Sequence, residues 1–177
     1  MPNRQRRPPI LKPASKAPPV HYRVEVADLH AHLYRVTLTI AEPAAQQRVA
    51  LPVWIPGSYL VREFSRNLQN LRATQGTRAA TLRQLDKCSW RVECVPAIPL
   101  VFVYEIYALD PSVRTAWLDP SRGFFNGTSL CLRVEGQQDQ VHGLELVASE
   151  PIAHWQVATT ATAQKIDKNG FGHYLAS

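Results

Sequence analysis

Cysteine, glycine and long apolar runs are scarce in this sequence, and each scarcity removes a class of protein. The three cysteines, Cys88, Cys94 and Cys131, are an odd number in 177 residues and do not make a disulfide framework. Cys88 and Cys94 lie in a segment that reads as strand, so roughly 20 Å would separate them. A disulfide needs Cα atoms within about 7 Å, so all three read instead as small buried hydrophobes. No window of about 18 uninterrupted apolar residues exists, which excludes a transmembrane helix. No apolar run follows the N-terminal arginines, which excludes a secretory signal. Unpaired cysteines without a signal point to the cytoplasm. The glycines are isolated apart from Gly170 and Gly172, so there is neither a phosphate loop nor a dinucleotide fingerprint.

The charge is present but misplaced for an acidic partner. There are 20 Lys plus Arg against 14 Asp plus Glu, a net charge of +6 and a pI near 9.5. Six of the basic residues (Arg4, Arg6, Arg7, Lys12, Lys16 and Arg23) precede the first acid, Glu25, so the rest of the chain is neutral. The same stretch carries Pro2, Pro8, Pro9, Pro13, Pro18 and Pro19 and almost nothing apolar. Residues 1–19 are therefore expected to be a disordered basic leader. The remainder of the chain is long enough for one domain.

Alternation with period two dominates that domain. Tyr22, Val24 and Val26 alternate with Arg23 and Glu25; Tyr34, Val36, Leu38 and Ile40 alternate with Arg35, Thr37 and Thr39. Val49, Leu51 and Val53 suggest a short strand interrupted by Pro52, and Cys88, Trp90, Val92 and Cys94 an inward-facing row. Residues 100–107 are apolar on both faces except at Glu105, as in a central strand covered on both sides. Leu130, Leu132 and Val134 form one face of another strand, and 144–147 and 155–157 suggest two more. Leu60, Phe64, Leu68 and Leu71 recur at helical spacing, which predicts a short helix near 59–66 with Ser58 as its N-cap. About nine short strands and one short helix make an all-β fold, a β-sandwich or open β domain over 20–164. The final residues, 165–177, read as a linker toward a further element.

Catalytic machinery is not evident. None of the six histidines is followed by Glu, and His30 and His32, although closely spaced, have no third ligand at regular spacing. No intrinsic metal site is expected. There is no G-x-S-x-G elbow, and Cys131 reads as a packed strand cysteine. Tyr104, Tyr107, Phe124 and Phe125 could stack bases, but a neutral body with interspersed charges argues against nucleic acid.

Two segments carry more than fold. In PVWIPGSYLVREF (Pro52 to Phe64), prolines bracket Trp54 and Ile55, and Gly57 turns the chain before Tyr59 and Arg62. In RGFFNGTSLCLRV (Arg122 to Val134), Phe124 and Phe125 precede Asn126-Gly127, a dipeptide suited to a hairpin turn. Paired aromatics beside amide and hydroxyl groups can form a recognition wall, and the plainer reading is a turn flanked by core aromatics.

Together with LDKCSWRV, VYEIYALDPSVRTAWLD and WQVAT, these segments resemble the N-terminal domain of the glycyl aminopeptidase family, over about residues 20–177. These are thermolysin-like zinc metallopeptidases that usually carry a PDZ domain. The resemblance implies a saddle-like β domain, similar to that of aminopeptidase N relatives, which packs on a catalytic domain bearing H-E-x-x-H. Zinc would then be held by that catalytic domain and by no residue of this chain. By the same analogy Phe124, Phe125, Asn126, Gly127 and Thr128 are expected to face the substrate cleft at its amine end, with Tyr59 and Arg62 second. Trp117 and Arg122 stand where the family pattern has histidines, which bears on the chemistry of that cleft.

The leading expectation is thus the non-catalytic N-terminal domain of a zinc metallo-aminopeptidase. Its partners would be its own catalytic domain and a peptide substrate, without nucleic acid or membrane. The alternative is a self-sufficient β-sandwich module that binds a peptide or carbohydrate. It predicts a concave, aromatic-lined pocket, where the leading expectation predicts a flat exposed apolar patch.

Overall fold

The computed structural model describes residues 17–176, so the expected leader lies almost wholly outside the described residues. The strands are β1 (Val20–Asp28), β2 (Leu33–Ile40), β3 (Gln46–Ala50), β4 (Leu68–Gln75), β5 (Arg78–Ala79), β6 (Leu82–Gln84) and β7 (Ser89–Glu93). They continue with β8 (Leu100–Tyr107), β9 (Ala116–Leu118), β10 (Gly123–Phe125), β11 (Arg133–Val134), β12 (His142–Leu146), β13 (Thr162–Ile166) and β14 (Gly172–Ala176). One four-residue helix, α1 (Gly127–Leu130), and two 3₁₀ turns complete the elements. The fold is all-β, built of open sheets, as the alternation requires.

A wide sheet runs β13-β14-β12-β1-β2-β8-β4-β5 and a narrow one β11-β3-β7-β6, with β9 and β10 as a separate hairpin. Alternation decides which residues enter the core. Val20, Tyr22 and Val24 of β1, Val36, Leu38 and Ile40 of β2, and Leu100, Phe102, Tyr104 and Ile106 of β8 share one face of the wide sheet, all buried. Val49, Trp90, Val92 and Val134 of the narrow sheet join them in one core cluster, with Leu130 and Leu132.

Two buried phenols tie the layers together. The Tyr104 hydroxyl donates to the Leu130 carbonyl at 2.8 Å and accepts from the Leu132 amide at 3.1 Å. The Tyr22 hydroxyl donates to the Leu132 carbonyl at 2.8 Å. Burial pushes both phenols well above their ordinary titration range, so both remain protonated donors.

The other face of the wide sheet is polar. Arg23 pairs with Glu25 at 2.5 Å, Arg35 with Glu105 at 2.9 Å, and Asn70 donates to Glu105 at 2.8 Å. β8 is central, as expected, but it is covered on one face only. Val101, Val103 and Glu105 are half-buried and Tyr107 is exposed, so alternation there reflects long side chains shielding one another rather than a second layer.

Several expected elements are absent. The helix near 59–66 does not form: Leu60 is 65% exposed while Phe64 is buried, and residues 64–67 make a 3₁₀ turn leading straight into β4. The helical spacing was accidental, because Gly57 at φ 79° and Asn70 at φ 57° bend the chain in the left-handed region on either side. Ser58 caps no helix; its hydroxyl accepts from Arg62 Nε at 3.1 Å and donates to the Leu60 carbonyl. Residues 155–157 are not a strand. Of residues 165–177, expected as a linker, those described largely belong to the sheet: β14 pairs antiparallel with β12 and with β13. The strand expected through Leu130, Leu132 and Val134 begins only at Arg133, although all three side chains are buried.

Candidate functional site

The Asn126-Gly127 pair does not make a hairpin turn. The turn between β9 and β10 is made by Asp119, whose carboxylate accepts from the Ser121 amide at 2.7 Å and the Arg122 amide at 2.9 Å. The Ser121 hydroxyl is the main cause that holds this exposed carboxyl far below the usual range. Asn126 instead is the N-cap of α1, its side-chain oxygen accepting from the Ser129 amide at 3.1 Å and from the Thr128 hydroxyl. Its amide nitrogen reaches the Val113 and Thr115 carbonyls at 3.5 Å. The Ser129 hydroxyl, buried, donates to the Thr115 carbonyl at 3.1 Å. Residues 123–131 are therefore pinned to the 110–115 loop on one side and, through Leu130, to Tyr104 on the other, while both phenols hold the next residue, Leu132.

This segment is one wall of a cleft of about 860 Å³. The floor is the β1 and β12 part of the wide sheet, with Tyr22, Val24, Leu144 and Leu146; Trp155, Val157 and Phe171 close the far side. The cleft opens where edge strand β11 of the narrow sheet leaves β1 and β12 uncovered. Phe124, Phe125, Asn126, Gly127 and Thr128 all line it. Phe125 meets the Tyr34 ring edge-on, with centroids 5.5 Å apart. Gly123 belongs here for steric reasons: a Cβ at that position would collide with the Tyr34 hydroxyl and lie 3.2 Å from the Trp155 ring. The Tyr34 hydroxyl donates to the Trp117 carbonyl at 3.1 Å, so it cannot simply move aside.

The lining is mostly apolar and, among the described residues, offers no activated nucleophile. Cys131 lies on the wall, and burial pushes its thiol up to about 12, far from the thiolate that chemistry needs. Cys88 and Cys94, free like Cys131, are also shifted upward by burial.

Tyr59 and Arg62 are not in the cleft. They sit on a loop whose ends are closed by the Arg62 amide donating to the Val53 carbonyl at 2.5 Å. Trp54 Nε1 donates across it to the Ser58 carbonyl at 2.7 Å. This holds Trp54, Tyr59, Leu60 and Val61 out in solvent. The loop neighbours the cleft wall: Pro52 lines the cleft, and Arg114 bonds the Gly57 carbonyl at 3.4 Å while Asn126 bonds that of Val113. Exposed Val113 and Phe124 thus continue an apolar rim from Trp54 to the cleft mouth. The structure has both the concave pocket and the exposed apolar surface that the two readings of the sequence distinguished.

Trp117 and Arg122 meet each other. The Arg122 guanidinium carbon lies 5.8 Å from the Trp117 ring centroid, a cation–π pair across the hairpin, and Trp117 Nε1 donates to Asp119 at 2.8 Å. Trp117 is also the cross-strand partner of Phe124. Of the aromatics that could stack bases, Tyr104 is fully buried, while Tyr107 and Phe124 are exposed.

His30 and His32 occupy the turn between β1 and β2, where the His32 Nδ1 is 2.6 Å from the Leu118 carbonyl. Spacing along the chain missed a different set. His21, Glu145 and His173, on β1, β12 and β14, bring their ligand atoms within 4.8 Å of one another on the polar face of the wide sheet. Burial lowers the His21 pKa; nearby Glu145 opposes this and His173 adds to it. Among the described residues no helix is long and apolar enough to cross a membrane.

Residues 21–177 match the family model of the peptidase M61 N-terminal domain. An aminopeptidase N family protein from Idiomarina loihiensis is 39% identical, with a TM-score of 0.85 over 89% of this chain and 27% of its own. A two-domain M1 zinc metallopeptidase mutant bound to L-tryptophan is 14% identical, with a TM-score of 0.41 over 91% of this chain and 39% of its own. No curated protein matches. The chain spans about a quarter of the length of the Idiomarina protein.

Proposed function

The chain belongs to the peptidase M61 N-terminal domain family, and on that premise we propose that it is the non-catalytic domain of a zinc metallo-aminopeptidase, packing on the catalytic domain and shaping the amine end of the substrate cleft. The observation that carries this reading is the exposed apolar rim of Trp54, Tyr59, Leu60, Val61, Val113 and Phe124. So much apolar surface left in solvent is the mark of a face that meets another body. The 123–131 wall, braced against the core, places Phe124 and Asn126 at the boundary between that rim and the cleft.

Zinc in such an enzyme polarises the scissile carbonyl and activates water. The residues that line the cleft of this chain do not fit that task. They include a single histidine, His142, and a thiol, Cys131, that burial keeps protonated, so in this reading the chemistry falls to the catalytic domain. Its contribution is to hold substrate and exclude solvent.

The test uses the intact peptidase that carries this domain. Phe124→Ala and Asn126→Ala should lower kcat/KM on glycyl or alanyl peptides about tenfold or more, mostly through KM, with zinc content unchanged. Thr37→Ala, on the opposite face, should leave both constants alone. Unchanged kinetics in the first two variants would overturn the proposal. The cleft itself favours a second reading, a self-contained site for an apolar peptide side chain. Saturable peptide binding by the 177-residue chain alone, lost on Phe125→Ala, would support that reading instead.

A further inference from the structure

Cross-strand register builds a polar row on the face of the wide sheet opposite the cleft. Lys165 pairs with His173, His173 with Glu145, and Glu145 with Arg23, across four strands. One step along, His21 pairs with Gly143, which pairs with Leu175. The glycine matters: a Cβ there would lie 2.6 Å from the His21 ring, so its absence lets the imidazole lie across β12. The His21 and His173 rings then come within 6.1 Å, centroid to centroid, with the Glu145 carboxylate beside both.

We propose that His21, Glu145 and His173 form a binding site for a first-row divalent cation, with Zn²⁺ the best match, which clamps β1 to β14 across the intervening β12. Two imidazoles and a carboxylate are a donor set suited to zinc, and a water would complete a tetrahedron. Tetrahedral bonds of about 2.0–2.1 Å put donor atoms about 3.4 Å apart. The donors lie within 4.8 Å of one another, so closing the site takes an inward movement of about 1.5 Å at most. Half-buried His21 and Glu145 and exposed His173 make that adjustment by side-chain rotation on fixed strands.

Two cations border the site. Arg23 Nε lies 3.5 Å from Glu145, but its shorter pair is with Glu25, so Glu145 can be surrendered without leaving the guanidinium unpartnered. Lys165 is exposed on the edge strand β13 and free to swing outward. Both charges weaken a bound cation, which makes them diagnostic.

The experiment titrates the 177-residue chain with ZnCl₂ by calorimetry, and with CoCl₂ while recording its visible d–d bands. One saturable Zn²⁺ per chain is expected, with cobalt bands of tetrahedral intensity. Thermal stability should rise in Zn²⁺ and fall back in EDTA. His21→Asn and His173→Asn should each weaken binding at least about tenfold, and Arg23→Gln should tighten it severalfold. His154→Asn, away from the site, should change nothing. Absence of binding at millimolar Zn²⁺, or affinity unaltered in both histidine variants, overturns the proposal. So do purely octahedral cobalt bands on the unmodified chain, a measurement that does not depend on any variant folding.

Discussion

Tyr104 offers the sharpest check on how the cleft wall is held. Replacing it with Phe keeps the ring, its volume and its packing, and removes only an oxygen that bonds twice within a fully buried site. The Leu130 carbonyl loses its donor and the Leu132 amide loses its acceptor. A buried polar group left without a partner costs about 1–3 kcal/mol, so Tyr104→Phe should destabilise the domain by about 2–5 kcal/mol. For a domain of this size that is a fall in Tm of roughly 5–15 °C. Tyr22→Phe orphans only the Leu132 carbonyl and should cost about 1–3 kcal/mol. Urea unfolding measures both, with an unchanged m-value as the sign that only stability moved. Because both hydroxyls bond Leu132, the double variant should depart from additivity by more than about 0.5 kcal/mol. If Tyr104→Phe lies within about 0.5 kcal/mol of the parent, the phenol is not what anchors the wall.

Two other perturbations probe the same region. Gly123→Ala forces a methyl against the Tyr34 hydroxyl and the Trp155 ring and should cost about 1–3 kcal/mol in urea unfolding. Adding Tyr34→Phe, which removes the obstructing oxygen, should recover part of that loss; strict additivity would show that the collision is not the cause. Cys131, with its thiol raised from 9.0 to about 12, keeps its proton at pH 8, so its thiolate population is about a thousandfold below that of an unperturbed thiol. Native protein should therefore react with iodoacetamide at Cys131 only above about pH 11 or after unfolding, as peptide mapping would show. Rapid labelling at pH 8 would contradict the burial.

Strand identity was legible wherever one face is buried and the other polar. Tyr22 to Val26, Tyr34 to Ile40 and Trp90 to Val92 alternate because the core demands it, and each is a strand in the fold. The reading failed where apolar residues serve a surface. Leu60 kept helical step with Phe64 but points into solvent, since nothing in a local pattern distinguishes a core-facing leucine from one held out on a loop. Phe124 to Thr128 stood out through the aromatics and the Asn-Gly pair, although Asn126 caps a helix rather than turning a hairpin. The cleft was invisible, because its floor comes from Tyr22 and Leu144 and its far wall from Trp155. The His21, Glu145 and His173 set was hidden for the same reason: register across three strands, not spacing along one, brings it together.

The parallel pairing of β1 with β12 sets the order in which this molecule can be completed. β1 gains its antiparallel neighbour β2 at once, but its other edge waits for His142 to Leu146, far downstream. As the chain emerges from the ribosome, that edge stays open while most of the domain is already made. Closure of long-range pairs is slow, and an unpaired strand edge is the surface through which unfinished chains find one another. Arg23 and Glu25 set charge along that stretch of β1, and charged side chains are a common means of deterring a second copy from docking on an open strand.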